Sequence, residues 1–400
     1  MTDSQTADGS VRNIALLSIA QAIGGSNQAI VMSIGALTAA LMAPTPALAT
    51  LPVTAMIIGL ALSTSLAALT MHRIGRQKGF ILGAALAIPA ALLAALAVWL
   101  ANFYLFTAAL AGIGASAAFF QQIRFAAADS VQPAFKSRAI SWVMFGGVAA
   151  GFFGPQLSSI SKDWIAGAPF AAGYVVMAVM ALVSIGVFSL TRLARPAAAQ
   201  NSSEGARPLR ELLRLPSIHV PMVGATVTYA LMTLVMVAAP LAMVYVCGHS
   251  PAEASGAIQW HIVAMFAPSF ITGSIIARIG AHLTAAIGLL LIIACAITAL
   301  NGISVTHFNI ALILLGLGWN FGFIGSTTLL TQAYRPAEAG KVQAVNEQLV
   351  FGTMAVASIG SGLLLELIGW QAINILAIPV ASAALLLLAW GDFARRRITT

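Results

Sequence analysis

The heptapeptide His72-Arg73-Ile74-Gly75-Arg76-Gln77-Lys78 is a basic island between two apolar runs, residues 51 to 71 before it and 79 to 100 after it. Each run is about 20 residues long, enough at 1.5 Å per residue to cross a hydrocarbon core of about 30 Å. The island reads as a short cationic loop joining two membrane-crossing helices. A shorter version, Ala277-Arg278-Ile279-Gly280, recurs 205 residues later between another pair of apolar runs. That recurrence directs attention to the whole chain.

Scanning outward for runs of the same length gives spans at 14 to 41, 51 to 71, 79 to 100, 102 to 125, 139 to 160 and 170 to 191. After a polar stretch come 218 to 246, 256 to 276, 283 to 301, 308 to 331, 342 to 365 and 371 to 390. The expected fold class is therefore an all-α polytopic membrane protein with twelve transmembrane helices. Composition agrees: 60% of residues are hydrophobic, 8% are charged and the mean hydropathy is +0.95, whereas soluble domains carry about 25% charge. If both termini are cytoplasmic, 18 of the 19 basic residues fall on the inside and only Lys162 lies outside. The positive-inside rule fixes that orientation in a bacterial-type inner membrane, since one missed span would invert half the pattern.

The net charge of +8 does not indicate a nucleic acid partner, because the Lys and Arg residues sit in clusters between spans and form no basic domain. Met1 to Asn13 carries Asp3 and Asp8 and lacks a basic n-region, so no cleaved signal peptide is expected. Cys247 and Cys295 cannot build a disulfide framework and read as structural thiols.

Ala194 to Pro216 is the longest polar stretch and divides the chain near its middle. The expected organisation is a six-helix half at 1–193, a cytoplasmic linker at 194–217 whose charges read as solvated, and a second six-helix half at 218–400. Leu110-Ala111-Gly112-Ile113-Gly114 aligns with Leu314-Leu315-Gly316-Leu317-Gly318 at an offset of 204, and Pro133 with Arg138 aligns with Pro336 and Lys341 at 203. Three matches at nearly one offset argue for a duplicated half. Repeated halves about a central linker are the signature of carriers that rock around a site near the bilayer midplane.

On these residues the chain resembles the major facilitator superfamily over essentially its whole length. The strongest local likeness is the island itself, which resembles that superfamily's basic loop between helices two and three, with His72 standing where an Asp is usual. The resemblance implies two pseudo-symmetric six-helix bundles and a loop that helps latch the cytoplasmic face, through Arg73, Gly75 and Arg76. Ala108 stands where drug/proton antiporters of the superfamily carry arginine, which argues against that subgroup. Gln121-Gln122-Ile123-Arg124-Phe125-Ala126-Ala127-Ala128-Asp129, with Gly146-Gly147 and Gly154-Pro155, looks similar to a bacterial branch that includes riboflavin-uptake carriers.

Polar side chains at membrane depth are costly unless they face a cavity. Around the midpoints of the first, seventh and tenth spans lie Asn27 and Gln28, then Tyr229, then Trp319, Asn320 and Phe323, with Gln21 one to two turns along the first span. Neutral amides mixed with aromatics suit an uncharged, planar or amphipathic solute; packing between helices is the competing reading. Arg124, Asp129 and Glu347 lie towards the inner ends of their spans and are candidates for gating or coupling. His261, beside Gln259 and Trp260, is near the outer end of the eighth span. With no carboxylate or histidine at the midplane of the first half, proton-coupled and facilitated transport are both open.

An enzyme would need a constellation of carboxylates or metal ligands, and the six histidines are scattered. No G-x-x-x-x-G-K-[ST] run is present, which argues against a primary pump. The expectation is thus a monomeric secondary transporter in the lipid bilayer that moves a small organic solute and needs no cofactor. Uptake, with riboflavin as one substrate, stands against efflux of amphipathic compounds and, from another class, a membrane sensor on a carrier fold.

Overall fold

The computed structural model describes residues 2–131, 136–193 and 207–399, and every regular element among them is helical. The spanning helices are α1 (Thr2–Ala40), α2 (Leu51–Ile74), α3 (Arg76–Trp99), α4 (Phe103–Phe120), α5 (Lys136–Ile160) and α6 (Ala171–Ser189). Then follow α7 (Pro216–Leu241), α8 (Pro251–Phe266 continued by Ser269–Ile279), α9 (Ala281–Leu300) and α10 (Val305–Thr331). The final 61-residue helical segment, Ala339–Thr399, breaks at Gly369, whose φ of 78° and ψ of 174° are not helical. Unbroken, it would run about 90 Å, three bilayers deep, so it comprises two spans, α11 (339–368) and α12 (370–399). An even count puts both chain ends on one face, here the terminal face; the opposite one is the distal face.

Two expected spans end or bend differently. The fourth stops at Phe120, and a tight turn at Gln121 and Gln122 leads into a short helix, Ile123–Asp129. The eighth is interrupted at Ala267 and Pro268, and its two pieces meet at 45°. Proline lacks the N–H a helix needs and its ring crowds the carbonyl four residues back. Much of the linker, 194–206, lies outside the described residues, as does Pro133.

The repeated island has a conformational counterpart. Gly75 links α2 to α3 at φ 91°, ψ 154°, and Gly280 links α8 to α9 at φ 86°, ψ 155°. A side chain would be strained there, which explains why both islands end their first half on glycine. Packing partners repeat as well: α1 lies on α5 and α7 on the α11–α12 segment, α2 on α4 and α8 on α10, and α3 and α9 each on the helix that follows.

The helix surfaces invert the pattern of a soluble protein. Leu62, Leu66 and Leu69, on one face of α2, are 77%, 67% and 60% exposed, as lipid-facing groups should be. Because lipid tails are as apolar as leucine, helices associate through close packing, and small residues provide it. A Cβ on Gly114 would collide with the Met56 carbonyl of α2, and one on Gly318 would come within 2.9 Å of the Gly288 carbonyl of α9. On the distal face, Asn102, Ser250 and Ser304 cap the N-termini of α4, α8 and α10, satisfying donors that the bilayer would leave bare.

Candidate transport site

Seven-residue spacing puts Gln21 and Gln28 on one face of α1, about two turns apart. Asn27 and Gln28 line a cavity of about 20 Å³ closed by Gly24, Met56, Ser116 and Phe120. That volume holds about one water, so an organic solute enters it only if the surrounding helices part. The Asn27 side chain is 8% exposed, and its Oδ1 accepts no hydrogen bond among the described residues. Gln21 sits apart from this cavity, beside Gly146 of α5.

Across the molecule, three of the residues singled out in the sequence meet. Trp319 and Phe323, one turn apart on α10, stack with ring centroids 5.4 Å apart and an interplanar angle of 11°. Tyr229 of α7 stands edge-on to both, at 5.3 and 5.1 Å, and Phe266 adds its edge to Trp319 at 6.1 Å. The edge-to-face arrangement aims positive ring edges at negative faces. Trp319 Nε1 donates to no acceptor among the described residues. The cluster thus offers flat apolar surface together with one uncommitted buried donor.

Asn320, adjacent to Trp319, is fully buried and its amide is committed elsewhere. Its Nδ2 donates to the Met265 carbonyl at 2.6 Å and to Ser269 Oγ at 2.8 Å, while its Oδ1 accepts from Thr272 Oγ1 at 2.6 Å. All three partners flank the break in α8. The Met265 carbonyl would ordinarily pair four residues on, beyond the break; Asn320 supplies a side-chain donor to it. Ser269, Thr272 and Phe266 were not singled out in the sequence.

Of the expected gating residues, Arg73 is exposed and Arg76 is buried at the start of α3. Within the island, Gln77 Nε2 donates to the carbonyls of Phe188, Ser189 and Thr191 at the end of α6. Arg12 donates to the neighbouring Leu190 carbonyl. Arg124 is exposed beyond α4. Glu347 is exposed on α11. The side chains of His72 and Asp129 lie outside the described residues.

One charged pair escaped the sequence reading. Glu338, fully buried before α11, accepts from Arg207 Nε at 2.7 Å, Arg207 Nη2 at 2.9 Å and the Arg335 backbone at 2.9 Å. These donors, Arg207 foremost, hold its carboxyl down at about 2. The pair ties the end of the linker to the α10–α11 loop, so Arg207 is not merely solvated as expected.

A family model described as Major Facilitator Superfamily matches residues 14–358. The chain belongs to the major facilitator superfamily. It is 44% identical over 386 residues to the riboflavin transporter RfnT of Brucella anthropi, covering 96% of each chain. It is 31% identical over 396 residues to YdeG of Bacillus subtilis, an uncharacterised transporter of the same type, covering 92% of this chain and 91% of that one. Among solved structures, the xylose transporter XylE from E. coli, in a partially occluded inward-open conformation, matches at a TM-score of 0.72 and 12% identity, covering 95% of this chain and 97% of that one. The outward-facing FucP transporter matches at 0.61 and 15% identity, covering 94% and 98%.

As a major facilitator, the chain is a multi-pass membrane transporter with a small-molecule substrate, and such carriers work by alternating access. Contacts that would have to part in the cycle are visible. Thr54 Oγ1 donates to Ser358 Oγ at 2.8 Å, joining α2 to α11, and Gln156 Nε2 donates to Gln259 Oε1 at 2.7 Å, joining α5 to α8. Both lie towards the distal face. Nearer the middle, Phe266 and Ile262 of α8 press on Gly147 and Gly151 of α5, and Phe145 meets Phe270 at 5.7 Å.

Proposed function

We propose that this chain is a secondary transporter for riboflavin uptake across a bacterial-type inner membrane. The aromatic cluster of Tyr229, Trp319 and Phe323 carries this reading. Riboflavin is neutral, with a planar three-ring system, an apolar dimethyl edge and an edge of carbonyl and N–H groups. The ring system matches flat aromatic faces, and the polar edge matches the uncommitted Trp319 Nε1–H and the amides of Asn27, Gln28 and Gln21 once the helices part. The 44% identity to a riboflavin transporter over 96% of the chain supports the same substrate.

In this reading residues 1–193 and 218–400 are the two rocking halves, joined by 194–217, and one chain is the transport unit. The terminal face is cytoplasmic, as the placement of basic residues argues. With α2–α11 and α5–α8 bonded towards the distal face, the conformation is the one that releases solute inward. Asn320 serves the site by holding the α8 break. Arg73, Gly75, Arg76, Arg124 and Asp129 belong to the inner gate. Glu347 is the proposed proton-coupling group if coupling exists, since it is the acidic side chain of α11 nearest the inner gate.

The test is thermal unfolding of purified protein in detergent with and without riboflavin. A ligand that binds only the folded state stabilises it by RT ln(1 + [L]/Kd), about 2.7 kcal/mol at one hundred times Kd. Riboflavin is expected to raise the unfolding temperature in a saturable way, and xylose is not. Folded, monodisperse protein with no response to riboflavin would remove it as the substrate.

A further inference from the structure

Two irregularities of the backbone, at Phe170 and beyond the end of α7, meet at one place remote from the aromatic cluster. A cavity of about 280 Å³ opens on the distal face between the halves. Its walls come from the end of α1 (Leu41), the α5–α6 loop (Lys162, Asp163, Phe170) and the end of α7 (Val244, Tyr245). Its volume approaches the roughly 300 Å³ at which small-molecule pockets begin, and it far exceeds the cavity beside Asn27.

Two local departures shape it. Phe170, at φ 70° and ψ −13°, is in the left-handed region, which is unfavourable for a bulky side chain. Its N–H donates to the Lys162 carbonyl at 2.8 Å, closing the loop, and its ring lies 5.7 Å from Lys162 Nζ. Opposite, the turn that continues from α7, Ala242–Val246, is π-helical, a form that often marks functional positions. Tyr245 is 54% exposed there. Lys162 is also the one basic residue that the positive-inside pattern leaves on this face. The Phe170 ring is itself buried in the core, so the loop that carries Lys162 is anchored to the spanning helices.

We propose that this cavity is an outer vestibule that binds the planar aromatic solute before the halves part, with the ring against Tyr245 and a ring carbonyl accepting from the Lys162 ammonium. The choice of solute rests on the function proposed above; the location does not. Stacking on an aromatic and a hydrogen bond from an ammonium select a flat ring with carbonyl oxygens over a sugar.

The test uses full-length protein with Cys247→Ser and Cys295→Ala, carrying Leu41→Cys as a reporter in the cavity wall or Ile303→Cys as a reporter elsewhere on the distal face. Each is labelled with a membrane-impermeant maleimide while riboflavin is titrated, and riboflavin uptake is measured on the same preparations. The vestibule predicts that labelling at position 41 slows about tenfold at ten times Kd, as the free fraction falls. The slowing should persist when Trp319→Ala disables the interior cluster, and should vanish with Lys162→Ala and Tyr245→Ala together. Position 303 should label at an unchanged rate. Protection that disappears with Trp319→Ala, or that appears equally at 303, overturns the vestibule, because it then reports movement rather than occupancy. Uptake without protection overturns the vestibule and leaves the proposed function standing. Protection without uptake does the reverse, and absence of both removes both.

Discussion

Replacing Asn320 with alanine distinguishes a pin in the scaffold from a hand on the substrate. The substitution deletes three hydrogen bonds, to Met265, Ser269 and Thr272. Side-chain bonds between membrane helices are worth about 0.6 kcal/mol each, so their loss costs about 2 kcal/mol. The Met265 carbonyl then loses its side-chain donor beside the break, and a buried acceptor left unpaired costs about 1–3 kcal/mol more. At about 2–4 °C per kcal/mol, the ligand-free protein should unfold at least about 5 °C lower. Asn27→Ala is the control, since its Oδ1 has no partner to lose among the described residues. Fluorescence-monitored unfolding in detergent, with and without riboflavin, reads both quantities. Asn320→Ala should lower the ligand-free midpoint, while Asn27→Ala should leave it nearly unchanged and weaken the response to riboflavin. An unchanged midpoint with a lost riboflavin response for Asn320→Ala would refute the pin and make Asn320 a direct contact.

Other outcomes follow from the same geometry. An aromatic pair contributes about 0.5–1.5 kcal/mol beyond area, so Tyr229→Ala or Trp319→Ala should raise the riboflavin Kd about 2- to 10-fold or more, measured by flavin fluorescence, with Trp319→Phe intermediate. The Glu338 carboxyl has its folded value lowered to about 2, so the stabilisation it provides is fully present above about 4.5 and is lost as pH falls towards 2. Unfolding temperatures recorded from pH 7 down to 3 should therefore decline more steeply for the native chain than for Glu338→Gln. If uptake is proton-coupled through Glu347, Glu347→Gln should flatten the pH dependence of riboflavin uptake into proteoliposomes without abolishing exchange; an unchanged pH profile would assign any coupling elsewhere.

Much of the fold could be read in advance because the bilayer enforces one rule, long apolar helices, and the positive-inside pattern checks their number. The break in α8 was hidden for a physical reason. Pro89, Pro155 and Pro221 all lie inside helices that continue, so proline alone does not mark an interruption. At Pro268 the break is held by Asn320, Ser269 and Thr272, and Asn320 is 48 or more residues distant in sequence from both hydroxyls and from Met265. The aromatic cluster was more legible, since Trp319 and Phe323 are one helical turn apart and Tyr229 falls at the same depth by counting. Which of two neighbours does which job was not: Trp319 and Asn320 share a midpoint, yet one faces an aromatic cluster and the other a broken helix. The Glu338–Arg207 pair joins residues 131 apart through a linker whose composition reads as solvated, and only the folded chain brings them together.

The most direct test of the central claim is counterflow in proteoliposomes holding purified protein, preloaded with unlabelled riboflavin and presented with radiolabelled riboflavin outside. The proposed function predicts transient accumulation of label above equilibrium that is abolished by Trp319→Ala with Tyr229→Ala, and no accumulation in protein-free vesicles. Active, correctly inserted protein that gives no accumulation, or accumulation indifferent to both substitutions, would contradict it.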